Sequence, residues 1–165
     1  MTRRICALVL SLLTELVGLT LVQPSATAAS PRPFKADFSG QAAITPTATP
    51  GVLAGAGSGS GRATHLGQVS VSVTEIIDLT SPTGVISLRD GRMIMVAANG
   101  DELHWNYTAT GTPPDAAGDV RFSGTFVITG GTGRFGSATG AGTFEGIGNV
   151  FTFMASFSYS GTISI

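Results

Sequence analysis

The chain has 165 residues, of which 42% are hydrophobic and 12% charged, with 9 basic side chains against 10 acidic ones. That near-neutral balance excludes the electrostatic footprint needed to hold nucleic acid or an anionic lipid surface. The single cysteine, Cys6, excludes an intrachain disulfide.

Residues 1–28 read as a secretory signal peptide. Arg3 and Arg4 make a positive leader, Ile5 to Val22 is apolar apart from Ser11, Thr14, Glu15 and Thr20, and Ala26-Thr27-Ala28 is a small-x-small cleavage site. Glu15 inside the apolar run counts against a retained membrane span. The expectation is a protein secreted to the extracellular or periplasmic space, with no stable membrane insertion, whose residues 29–165 form one domain. Cys6 leaves with the leader, so the mature chain has no thiolate nucleophile and no cysteine metal ligand.

After the leader, helix formers are scarce and strand formers common. Val69, Val71 and Val73 alternate with Ser70, Ser72 and Thr74, and Phe122, Gly124, Phe126 and Ile128 alternate with Arg121, Ser123, Thr125 and Val127. The clearest strand closes the chain: Phe151, Phe153, Ala155, Phe157, Tyr159, Gly161 and Ile163 share one face. Such runs predict strands near 34–41, 62–77, 84–88, 92–98, 102–110, 119–129, 134–144 and 149–164. Turn chemistry separates them, with Asp90-Gly91 and Asn99-Gly100 as the strongest hairpin signals. Short links make neighbours antiparallel, and about eight meandering strands without disulfides close most simply into an all-β barrel. A two-sheet sandwich is the alternative.

Residues 42–61 stand apart. Pro46 and Pro50 speak for a loop over 42–51. Gly55, Gly57, Gly59 and Gly61 recur at every second position, which leaves either a mobile loop or a strand whose bare face admits another backbone or a ligand.

The stretch Gly130-Gly131-Thr132-Gly133-Arg134-Phe135-Gly136 contains the glycine spacing of a dinucleotide-binding loop. A helix should follow such a loop to hold the pyrophosphate, but Gly140, Gly142 and Gly146 oppose one. The expectation is therefore a tight connection, with Arg134 and Phe135 opening the next strand, Gly136, Gly140 and Gly142 bending it, and Arg134 paired to Glu145 or Asp119. No cofactor is expected.

Phe126 to Phe135, followed by Ala138-Thr139-Gly140, resembles the signature of the dirigent and allene oxide cyclase barrel superfamily, and Gly61 to Gly67 resembles a segment of secreted bacterial relatives. The resemblance covers about residues 119–145. It implies an eight-stranded antiparallel barrel of calycin-like architecture with an apolar cavity, in which phenoxy radicals are oriented for coupling or an unsaturated epoxide is folded for cyclisation. Assembly of the relatives as dimers or trimers implies a homo-oligomer. Thr139 stands where dirigent proteins usually carry an arginine, which puts the dirigent activity in doubt.

His65 shares strand parity with Gly67, Val69, Val71, Val73 and Glu75, so His65 and Glu75 are the candidate catalytic acid–base groups if that face lines the barrel. Otherwise His65 makes a local hydrogen bond and Glu75 sits at the rim. In Glu102 to Tyr107, either Trp105 and Tyr107 face a guest or His104 and Asn106 do. Candidate ligand-binding residues are thus Trp105, Tyr107 and His104, joined by Phe153 and Phe157 from the last strand. The 2 histidines form no metal-binding pattern, so no metal is expected. The functional expectation is a barrel that binds a small apolar or aromatic molecule and steers its cyclisation or coupling by shape. The alternative is a structural or adhesive barrel filled by its own side chains.

Overall fold

The computed structural model describes residues 30–165, and the expected leader lies outside them. Among the described residues the barrel closes on itself around one core, so its sheet needs no further strand to complete it. Eight strands follow one another around a closed antiparallel barrel: β1 (Arg32–Pro46), β2 (Val52–Ala63), β3 (Gly67–Asp78), β4 (Ile86–Ala97), β5 (Glu102–Gly111), β6 (Asp119–Gly131), β7 (Thr139–Asn149) and β8 (Met154–Ser164). The barrel closes where β8 returns to β1, with Arg32 facing Ile163 and Gln41 facing Met154. Closure satisfies backbone groups that would otherwise lie along two open edges. The expected barrel is the fold, and the sandwich is not.

Several boundaries differ from expectation, each for a local reason. Residues 42–46 are strand, not loop: beyond Gln41, β1 has left β8 and pairs only with β2. The Thr47 N–H reaches Val52 O at 3.2 Å, so the imide nitrogen of Pro46 points to the unpaired side, where no hydrogen bond is lost. The expected strand 62–77 instead spans a turn between β2 and β3, with His65 at φ 69° and Gly67 at φ 76°. Leu66 is buried within that turn, which is why the apolar pattern ran through it.

Asp90-Gly91 is a β-bulge within β4 rather than a hairpin: the β4–β5 register shifts between Leu88 and Gly91, and Asp90 takes a φ of 55°. A bulge uses the same left-handed backbone that a tight hairpin needs, so the dipeptide signals both. Arg134 and Phe135 belong to a 3-10 turn (Gly133–Phe135), not to β7. The β7–β8 turn then falls at 150–153, so Phe151 and Phe153 lie in it rather than in β8.

The turns at 64–66 and 98–101 and the link 132–138 close one end, here the floor; those at 47–51, 79–85, 112–118 and 150–153 surround the other, the mouth. Above the floor, Trp105 meets Phe34, Phe126 and Tyr159 at ring-centroid distances of 5.8, 5.5 and 5.3 Å. These interlocked rings fill the lower barrel, and truncating one of the Phe or Trp rings to Ala costs about 3–5 kcal/mol.

The glycine motif seals that floor. The Phe135 side chain is fully buried, and the Arg134 guanidinium lies 4.9 Å from its ring centroid. Arg134 Nη2 donates to the His65 carbonyl oxygen, and Arg134 Nε lies 3.7 Å from Asp101 Oδ2. The expected partners Glu145 and Asp119 are replaced by Asp101 because Arg134 stays at the floor rather than entering β7. Gly133 adopts φ 55°, and a Cβ there would strike the Asp101 carboxylate. The element after Gly136 is a strand, so no helix N-terminus stands behind these glycines.

Candidate functional site

Above the aromatic floor the barrel opens into a cavity of ≈ 450 Å³. Its size falls within the roughly 300–1,000 Å³ of small-molecule sites. The walls have different chemistry because the strands do. β8, β7 and β1 contribute rings: Tyr159 stacks on Phe144 at 4.7 Å and 15°, and Phe38 lies 5.5 Å from Tyr159 and 5.6 Å from Phe157. β3 and β4 contribute aliphatic side chains such as Val71, Val73 and Met93. β2 contributes almost none, because Gly57 and Gly59 face inward. The bare strand face is real, and what it admits is neighbouring chain: a Cβ at Gly59 would strike the Ser39 carbonyl oxygen of β1, and one at Gly57 would lie 2.9 Å from Val73 Cγ2.

One carboxyl breaks the apolar wall. Glu75 extends from β3 into the cavity, where the Tyr107 hydroxyl donates to its Oε2 at 2.7 Å. Tyr107 is on β5, so its ring crosses β4 to reach Glu75. It crosses at Gly91, in the bulge, where an added Cβ would lie 2.6 Å from the ring. On the other side Glu75 pairs with Gly55 of β2, where a Cβ would stand 3.0 Å from Glu75 Cγ. Both lateral neighbours of the carboxyl are thus glycine, which leaves room for it and its partner.

Burial raises the Glu75 pKa above its ordinary value, and the Tyr107 hydrogen bond only partly offsets that rise. Burial and then the Glu75 charge push both the Tyr107 and Tyr159 hydroxyls far above the usual phenol range. Both phenols therefore stay protonated. The site can hold a neutral or ionised carboxyl beside two O–H donors within an apolar chamber, which suits proton transfer to or from a bound guest.

The other expected residues are dispersed. His65 lies in the β2–β3 turn at the floor, where its Nε2–H donates to Pro33 O at 3.2 Å. The expected inward face runs from Val69 to Glu75, and the turn before it takes His65 out of that face. Trp105 is 1% exposed and belongs to the floor, with no acceptor for its Nε1–H. His104 points outward, its Nε2 2.7 Å from Glu102 Oε2. Phe157 lines the cavity wall, and Phe153 stands at the mouth. Sequence reasoning missed Tyr159 as a site residue, although its inward parity with Phe157 was visible, and it missed the Glu75–Tyr107 pair.

An outer furrow over Asp37, Arg62, Arg121 and Glu145 is larger, at ≈ 780 Å³, but it is open to solvent and those charged side chains are exposed. Among the described residues no cluster of His, Cys, Asp and Glu has the arrangement of a metal site. Comparison with protein-family models, curated proteins and solved structures finds no match to this chain.

Proposed function

We propose that this is a secreted barrel that binds a small apolar or aromatic molecule in its interior and steers its cyclisation or coupling. The observation that carries this reading is a carboxyl of raised pKa, bonded to Tyr107, in an otherwise apolar cavity of ≈ 450 Å³. Apolar surroundings with a few convergent polar groups are the usual makeup of a ligand site. The aromatic wall stacks on the guest's flat face, Tyr159 offers a hydroxyl donor, Tyr107 holds the Glu75 carboxyl in place, and Glu75 takes or returns a proton. Confinement selects the guest conformation from which the ring or bond forms. The resemblance of residues 119–145 to the dirigent and allene oxide cyclase superfamily supports the same reading. The competing structural reading fits the filled floor but gives the chamber above it no role.

The test is titration with an environment-sensitive apolar dye, followed through dye emission and through Trp105, which lies beneath the cavity against Tyr159. Saturable uptake is expected from the wild type. Val73→Phe, which fills the cavity opposite Gly57, should weaken uptake at least about ten-fold. Dye affinity that is unchanged in Val73→Phe, or no uptake by the folded wild type, overturns the proposal.

A further inference from the structure

The large apolar side chains left exposed are not scattered. Among the described residues eight exceed about one-third exposure: Ile44, Leu79, Val150, Phe151, Phe153 and Met154 surround the mouth, and Ile94 and Val127 lie on the outer wall. Phe151 is 70% exposed and Phe153 42%. An apolar collar of this kind at a single end marks an interaction surface rather than incidental exposure.

The collar is held in shape. Asn149 Oδ1 accepts the N–H groups of Phe151 and Thr152, each at 3.0 Å, and its Nδ2 donates to Ala117 O and Asp119 Oδ1 in the neighbouring loop. Phe153 is fixed at φ 57°, a left-handed conformation a bulky residue rarely adopts. Ala42 N–H bonds Phe153 O at 2.9 Å, and Leu79 N–H bonds Gly51 O at 2.8 Å, so the 150–153 turn is tied to β1 and the 47–51 turn to the end of β3.

We infer that the mouth is a docking surface for an uncharged or zwitterionic lipid interface, from which the apolar guest passes directly into the cavity. Charge and continuity select this occupant. The mouth turns contain no Lys or Arg to attract an anionic surface. Asp115 and the flanking Asp119 would be brought together by a mouth-to-mouth pair of copies, which opposes self-association, while Asp78 is paired with Arg89. The collar is also continuous with the cavity lining through Leu79, Val150, Phe153 and Met154, so a docked guest need not cross water. The outward faces of β2 and β8 carry Ser58, Ser60, Ser156, Ser158 and Ser160, so only the rim enters the interface and the barrel does not span it. The loading role rests on the cavity reading above; the docking geometry does not.

The test is co-sedimentation of the chain from Ser30, which carries all eight strands, with phosphatidylcholine vesicles. The wild type should bind. Phe151→Ser with Phe153→Asn should weaken binding about a hundred-fold, roughly ten-fold per ring withdrawn. Ile44→Ser with Leu79→Ser, from β1 and the β3–β4 turn, should weaken it likewise, while Ile94→Ser with Val127→Ser should leave it unchanged. Circular dichroism and Trp105 emission verify that each variant is folded. Absence of wild-type binding, full binding by folded rim variants, or a wild-type dimer in sedimentation velocity that the rim variants abolish overturns the inference. Dye uptake without vesicle binding sinks docking alone, and vesicle binding without dye uptake sinks the cavity reading alone.

Discussion

Glu75 is the residue whose environment departs furthest from what its type prefers. Burial keeps its proton on to a higher pH than the ordinary value of 4.5, so the folded protein holds that proton more tightly than the unfolded chain. The sign follows: the stability contributed by the neutral carboxyl is complete below the ordinary carboxylate pKa and is lost as pH rises through the raised folded value. Thermal melts between about pH 4 and about pH 8 should show this loss. Glu75→Gln, which keeps an acceptor for Tyr107 but cannot ionise, should flatten the dependence and raise the melting temperature near neutrality. An identical pH slope in the variant would refute the assignment. Glu75 was legible in the sequence as a carboxylate on an apolar face. Its partner was not, because His65 appeared to continue that face, and only the turn at Thr64–Leu66 removes it.

At the level of strands, the site depends on where side chains are missing. Tyr107 reaches Glu75 only because β4 presents Gly91 between them. Gly91→Ala should force the Tyr107 ring aside and cost about 1–3 kcal/mol, as overpacking does. In a Tyr107→Ala background the same substitution should cost much less, and a double-mutant cycle measures the difference. Equal costs in both backgrounds would show that Gly91 serves the bulge alone. Gly91 also shows what sequence patterns omit. Asp90-Gly91 was visible as a departure from regular strand, but hairpin and bulge share a backbone requirement, and only pairing with both β3 and β5 distinguishes them. β2 was obscured for a related reason: an inward face of Gly55, Gly57, Gly59 and Gly61 has no apolar alternation to detect. Splitting β4 and missing β2 offset each other, so the expected strand number was right while its composition was not.

For the molecule as a whole, closure is the organising fact. Each strand pairs with its sequence neighbours, and the seam between β1 and β8 brings the two ends of the described chain together, Arg32 opposite Ile163. A circular permutant joining Ile165 to Ser30 by a short Gly/Ser link, opened in the exposed turn at Asn99-Gly100, should therefore fold. Its far-UV circular dichroism and buried Trp105 emission should match the parent, and a permutant that stays unfolded would deny that the barrel closes at that seam. The ends of the barrel differ in purpose. The floor is packed with rings and sealed by Phe135 and Arg134, while the mouth carries exposed apolar side chains above a chamber. The glycine motif was legible as a backbone device, and its job at the floor became clear only with Asp101 and the His65 carbonyl in place.

By itself the sequence determined an all-β chain of short antiparallel links closing into a barrel, because alternation and turn residues act through near neighbours. Tertiary structure alone decided which carboxyl meets which hydroxyl, where the chamber lies and which turns form its mouth. Those features depend on register between strands far apart in the chain, where a one-residue slip reverses every side chain.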